Sequence, residues 1–450
     1  MTLRASPLDI KLGMEVYAST TPGVGGRIRS RFEDFIVEEI LLDGSEATIR
    51  LKEEMRDFSK RGRYLICILI KKGIDTFSAI ERVARRVNVS PEMIGAAGIK
   101  DAHAITAQHV SVGAVTPEKV KVDLGEIRLV PMRFSEEKIT PRILLGNRFD
   151  ITVRNIPHEY SETQEMILET SRELMHLGGV PNFFGHQRFG TVRPLSHIIG
   201  KLLLKEKFEK AAMIFLSELS IYESPRARSA RIYLRESVDF NSALKRFPRS
   251  LFYERLMLMY LSKYPRDFLG AFRRLPINLR RLFIQAYQSY LFNRFLSERM
   301  KRGIPLNDVQ KGDYALRIGD NGLPGRSFII INEKDVGSVS SEIKSGKMAL
   351  ALPVIGFNQK LSGGIQGEIE REILEREDVQ PQDFKMEKMP ECGVGGKLRR
   401  ALAPIMNFRF KTKPDDKAIV RFRFMLHKGS YATVVLREFM KPENPVSSGF

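Results

Sequence analysis

The run Gly95-Ala-Ala-Gly-Ile-Lys-Asp-Ala-His-Ala-Ile-Thr-Ala-Gln-His109 holds the side chains best placed for chemistry, with Asp101 at its centre. Two glycines loosen the backbone ahead of the Lys100–Asp101 pair, and an alternating run from Ala104 to Val112 reads as a strand. This pattern puts Asp101 at a strand-to-strand junction, where rigid neighbours hold a short polar side chain. The plain alternative is a turn aspartate bonded to its own backbone. A second stretch, Asn182-Phe-Phe-Gly-His-Gln-Arg-Phe-Gly190, crowds phenylalanines, glycines and an arginine into a short loop. Aromatics beside Arg188 and Asn182 suit a stacked base; a loop that plugs an apolar gap is the competing reading.

Other chemistries lack their residues. No stretch supplies the GxxxxGK[ST] phosphate loop, no GxGxxG lies between a strand and a helix, and no GxSxG elbow occurs. A nucleotide cofactor is therefore not expected. His103 and His109 are six apart, which is not the spacing of a helical zinc site, so no metal is expected. Two cysteines, Cys67 and Cys392, exclude a secreted disulfide scaffold and a Cys-rich zinc site. The 450 residues carry a formal net charge of +19, from 73 basic and 54 acidic side chains, which points to a polyanionic partner such as nucleic acid. Binding to such a partner should weaken steeply with salt. No signal-peptide core and no membrane-length apolar run is present, so a cytoplasmic protein is expected.

The elements that must position Asp101 read as follows. Residues 1–25 are irregular, and 27–40 are extended with a polar turn at Glu33–Asp34. Residues 63–71 form a strand buried on both faces, with Cys67 inside it. Residues 75–89 form an amphipathic helix with Thr76 helping to cap it. Residues 126–134 and 147–156 are strands. A helix over 161–177 is ended by Gly178–Gly179 and Pro181. From about 205 to 300 helical patterns dominate, and 303–395 is short, Gly-rich and mixed. Lys417–Leu426, a turn over 428–433 and Val434–Phe439 read as a β-hairpin with Tyr431 near its tip.

Three stretches together resemble the TruD family of tRNA pseudouridine synthases, of the archaeal type with a long insertion. Gly98-Ile-Lys-Asp-Ala-His-Ala-Ile-Thr-Ala-Gln108 fits the family pattern GxKDxxAxTxQ, and Pro181–Gly190 fits its second signature. Gly429-Ser-Tyr-Ala-Thr433, followed by Val435-Leu-Arg-Glu438, resembles the third, and Glu33-Asp-Phe35 is a fourth, weaker match. The resemblance implies an α+β fold: a catalytic domain with a mixed, mostly antiparallel sheet, built from residues 1–204 and 405–450. A largely helical α/β insertion, the TRUD domain, would occupy 205–404. It implies conversion of uridine to pseudouridine in tRNA, at position 13, with no cofactor and with Asp101 as the catalytic carboxylate acting on a flipped-out uridine. A carboxylate with a reference pKa of about 3.9 is ionised at neutral pH without an activating base. Phe35 and Tyr431 are the implied substrate contacts, with Phe184 packing in the pocket and Asn182 facing the uracil edge or a phosphate. Lys100, then Arg29, then Arg188 are the candidate cations beside Asp101. Tyr431 stands where the family often has phenylalanine. Phe35→Ala is expected to harm substrate handling more than stability. A non-catalytic RNA-binding factor would share the charge and the aromatics but would not need the Lys100–Asp101 pair.

Overall fold

The computed structural model describes residues 5–51, 57–59, 61–413 and 418–450. A short helix, α1 (Pro7–Lys11), interrupts the segment expected to be irregular, and its Asp9 is fully buried. The chain then forms β1 (Phe35–Leu41), β2 (Tyr64–Lys72), α2 (Thr76–Val87), β3 (Ile94–Ala96), β4 (Ile105–Gly113), α3 (Pro117–Val120), β5 (Val122–Asp123), β6 (Ile127–Ser135), β7 (Leu144–Val153) and α4 (Tyr160–Leu177). Strand β2 is apolar on both faces because both are covered. Leu65, Cys67 and Leu69 pack with Ala79, Val83 and Ala84 of α2, while Ile68 and Ile70 meet Ala47 and Met132. Asp75, rather than Thr76, caps α2 by accepting the Ser78 N–H at 3.0 Å, which leaves the Thr76 hydroxyl for another task. Gly178 ends α4 at φ 87°, a conformation glycine adopts without steric cost.

After β8 (Val180–Pro181) comes α5 (Ser196–Leu204), and then a helical stretch: α6 (Phe208–Ser217), α7 (Pro225–Ser237), α8 (Phe240–Arg246), α9 (Phe252–Leu261), α10 (Phe268–Arg273) and the long α11 (Ile277–Lys301). The mixed region supplies β9 (Tyr314–Ile318), β10 (Pro324–Ile330), α12 (Val336–Lys344), β11 (Met348–Val354), α13 (Gly364–Arg376) and β12 (Lys397–Arg400). The chain closes with β13 (Leu402–Ala403), β14 (Met406–Lys413), β15 (Ile419–His427) and α14 (Ala432–Met440). The main sheet runs β14-β15-β7-β1-β4-β2-β6-β5, with β3 also paired to β4. Strand β1 is parallel to β4, and the other pairings between these strands are antiparallel. A separate sheet, β10-β9-β11-β12, comes entirely from residues 314–400. The fold is thus α+β with a mixed sheet. Among the described residues no helix is long and apolar enough to cross a membrane.

The C-terminal reading needs correction. Val434–Phe439, expected as a strand, is helical, and every residue of α14 is buried. Thr433, Arg437 and Glu438 are buried with the apolar residues, and in so short a run Val434 and Val435 imitate a strand. The hairpin partner of β15 is β14 instead, whose Phe408 stacks on Phe439 of α14 at 5.2 Å. The expected strand start at Lys417 lies outside the described residues.

Candidate active site

Asp101 sits in the loop between β3 and β4, and three anchors fix that loop. The ammonium of Lys71, at the end of β2, donates to the carbonyls of Ile74 and Asp101, both at 2.8 Å, and of Lys100 at 3.3 Å. The Thr76 hydroxyl accepts the Lys100 N–H at 2.9 Å, and Gln108 Nε2 donates to the Gly98 carbonyl at 2.9 Å. These bonds satisfy loop backbone that no strand can pair. The Asp101 side chain itself stays 42% exposed. Arg29 donates to its Oδ2 at 2.9 Å, and among the described residues Oδ1 has no hydrogen-bond partner.

Arg29 is held as tightly as the carboxylate it meets. Its backbone is left-handed (φ 56°), its guanidinium lies 4.1 Å over the Phe35 ring, and its NH1 donates to the Gly449 carbonyl at 2.8 Å. Burial pushes the Arg29 pKa below its ordinary value, and the Asp101 charge works against that push. Phe35 is 1% exposed, edge-on to Phe149, with one face covered by Arg29; it forms the floor of the pocket.

Lys100 does not serve as the cation for Asp101. Its Nζ lies 2.8 Å from Glu39 Oε2 and donates to Asn147 Oδ1 at 2.7 Å. Glu39 is fully buried, and an unpaired carboxylate there would cost several kcal/mol, on the order of 3–5. That demand outweighs the half-exposed Asp101. Burial pushes Glu39 up, but the His109 imidazole and the Lys100 ammonium prevail and hold it below the usual carboxylate value. Arg29 is therefore the partner of Asp101, and Lys100 braces the floor beneath it.

The opposite wall comes from the Pro181–Gly190 loop and the start of α14. Phe183, Phe184 and Phe189 are all buried. Phe184 meets Phe292 of α11 and Tyr431 edge-on, at 5.5 and 6.2 Å, with the Arg399 guanidinium 4.1 Å over its face. The amide of Asn182 is absent from the pocket lining: Oδ1 accepts from Arg399 at 2.6 Å and Nδ2 donates to the Arg400 carbonyl at 3.1 Å. Arg188 turns toward α11, donating to Ser289 and Gln285 at 3.1 Å each. Asn293 of α11, fully buried, accepts the Phe184 N–H at 2.8 Å and donates to the carbonyls of Phe184 and Leu12 at 3.0 Å. Helix α14 is seated by a buried charge network. Arg437 Nε meets Asp9 Oδ2 at 2.8 Å, and Asp9 Oδ1 meets His186 Nε2 at 2.6 Å.

Together these elements enclose a cleft of about 180 Å³. Arg29, Phe35, Lys100, Asp101 and Tyr431 line it; Asn182, Phe184 and Arg188 do not. Asn147, Phe149, Gln187 and Thr433 also line it, and the sequence reading missed them. Thr433 donates to Gln187 Oε1 at 3.0 Å, and among the described residues Gln187 Nε2, Asn147 Nδ2 and the Tyr431 hydroxyl have no protein partner. Gln187 lay inside a motif already singled out, and Lys71 was the first charge after an apolar run; Asn147 gave no signal. Beyond Tyr431 lie Arg188, Lys397, Arg399 and Arg400. Burial pushes all four below their ordinary values, Arg399 to about 10, and among the described residues none pairs with a carboxylate. Such a wall is arranged for an anion.

Comparison with known proteins agrees over nearly the whole chain. Residues 11–439 match the family model described as tRNA pseudouridine synthase D (TruD). A Methanosarcina mazei protein named "Probable tRNA pseudouridine synthase D" is 36% identical over 440 residues, covering 96% of this chain and 97% of its own. Similarly named proteins of Methanopyrus kandleri and Pyrococcus furiosus are 40% identical over 388 residues and 37% over 431; they cover 86% and 94% of this chain and 88% and 98% of their own. The crystal structure of the M. mazei TruD protein superposes with a TM-score of 0.82 at 36% identity, covering 99% of this chain and all of that one. The loop that presents Asp101, the Pro181–Gly190 wall and the seat of α14 thus belong to one architecture, and the chain is a member of the TruD family of tRNA pseudouridine synthases.

Proposed function

We propose that this protein isomerises uridine to pseudouridine in tRNA, at position 13, with Asp101 as the catalytic carboxylate acting on a flipped-out nucleoside. The C1′–N1 bond breaks and a C1′–C5 bond forms; C5 gives up its proton and N1 gains one. Nothing is oxidised or reduced, so the reaction calls for no cofactor. Extruding the base costs a few kcal/mol, and a stacking aromatic returns about 1–3 kcal/mol. Tyr431 is the ring with a face to offer, because Phe35 is already covered by Arg29. Asn147 Nδ2 and Gln187 Nε2 are donors suited to the uracil carbonyls. The uncompensated cations Arg188, Lys397, Arg399 and Arg400 suit the phosphates on either side. The cytoplasm, where tRNA is processed, is the working compartment.

The observation that carries this reading is the Arg29–Asp101 pair, its carboxylate half-exposed in a cleft that Tyr431 lines, in a chain of this family. We assign residues 1–204 and 405–450 to the catalytic domain and 205–404 to the insertion. In support, the main sheet draws its strands from 35–153 and 406–427 alone. The test is to incubate the protein with unmodified tRNA transcripts and map pseudouridine at single-nucleotide resolution. Asp101→Asn should fold and bind tRNA with near wild-type affinity yet form no product. Appreciable product from that variant would remove Asp101 from the chemistry.

A further inference from the structure

Two loops meet at the cleft, and they meet twice. Arg29 reaches Asp101; three residues beyond Arg29 and two beyond Asp101, Phe32 and His103 face each other with rings 11° from parallel and centroids 6.3 Å apart. A two-residue step spans at most about 7 Å, so this ring pair borders the reacting carboxylate. Both rings are exposed, Phe32 by 39%. The arrangement is built rather than incidental. The Phe32 ring lies on the backbone of Gly73, where a Cβ would come within 2.9 Å of it, and Gly73 is left-handed at φ 70°. The Gly73 N–H donates to the Ala104 carbonyl at 3.2 Å, which ties the support of Phe32 to the loop that carries His103. Lys72 places its ammonium 5.9 Å over the Phe32 ring and is fixed by Glu33 at 2.6 Å. Among the described residues the His103 imidazole has no hydrogen-bond or ion-pair partner. Ile99, 69% exposed, extends the apolar surface on the other side of Asp101.

We infer that Phe32 and His103 form a stacking subsite for the base adjoining the target uridine. This rests on the activity proposed above. When the uridine leaves its stack, its neighbour loses a stacking partner as well. Exposed flat side chains next to the cleft mouth replace that partner for any base, since every base offers a π-face. The subsite binds an RNA nucleotide, and it gives Lys72 a phosphate within reach.

The test uses the full-length protein and tRNA transcripts carrying 2-aminopurine at the nucleotide on the 5′ or the 3′ side of the target uridine. One of the two probes should be quenched on binding the wild-type protein. Phe32→Ala and His103→Ala should each abolish the quench and lower kcat/KM by about tenfold with unchanged Tm. His103→Phe, which keeps a flat ring, should retain both. Pseudouridine formation with neither probe quenched, or His103→Ala equal to wild type, overturns the subsite and leaves the activity standing. Absence of pseudouridine from the wild-type protein on every tRNA overturns the activity and the subsite together.

Discussion

Phe35 and Asp101 share a cleft but answer to different forces. Asp101 is half-exposed and its charge is met by one guanidinium, whereas Phe35 is sealed between Arg29 and Phe149. Truncating a buried phenylalanine costs about 3–5 kcal/mol through lost transfer energy and the cavity left behind. Phe35→Ala should therefore lower unfolding stability by that amount in a urea titration, the reverse of what its place beside a motif suggests. A loss under about 1 kcal/mol with impaired turnover would return it to a contact role. The family resemblance named Asp101 and Tyr431 before any coordinates, and Arg29 stood second among three candidate cations. The sequence left open which way Lys100 and Asn182 point. Direction is decided by partners remote in the chain: Glu39, fully buried, captures Lys100, and Arg399 captures Asn182.

Elements position what residues perform, and the end of β2 shows how. Lys71 holds three carbonyls of the flanking turns, including that of Asp101. Burial pushes its pKa down to about 8, against the pull of the Asp101 charge. Above that pH the neutral amine has only two hydrogens for three acceptors, and the Asp101 loop loosens. Turnover should decline with a midpoint near pH 8 in the wild-type protein, while Lys71→Met should be slow and flat across pH 7–9.5. The stability effect has the opposite sign. Between pH 8 and the ordinary 10.5 the unfolded chain holds a proton that the folded chain has released, so stability from this group rises with pH. A fall in turnover there cannot be unfolding driven by Lys71, and turnover that is flat to pH 9.5 would dismiss the idea. The periodic elements β2, α2, β6, β7 and α4 were legible because each has a covered face and an open one, or a strand-length apolar run. Helix α14 was not, because its polar residues are buried with the rest and its two adjacent valines read as a strand.

At the scale of the whole molecule the net charge of +19 acts together with the cations beyond Tyr431. Binding of tRNA should weaken steeply as salt rises, since each phosphate neutralised releases counterions. Lys397→Ala should reduce the slope of log K against log salt by about one, without altering which nucleotide is modified. A slope unchanged in that variant would take Lys397 off the RNA path. The change from strand to helix patterns near residue 205 was legible, and helices α6 to α11 follow it. How intimately those helices join the preceding part of the chain was not. Helix α5 packs across α11, and Gly200 lies so close to the Phe283 carbonyl that no larger residue fits.

Asn293 has a consequence for how a tRNA gets in. Its one amide grips the Phe184 backbone from both sides and the Leu12 carbonyl besides, in a buried interior. A hinge opening there would strand three polar groups at once, which disfavours jaw-like movement between α11 and the Pro181–Gly190 loop. Arg400 also ties down the Gly319–Leu323 turn through its bond to the Gly322 carbonyl. For the activity proposed above, a target uridine already unpaired in its tRNA should therefore be taken up first, since extruding it costs least.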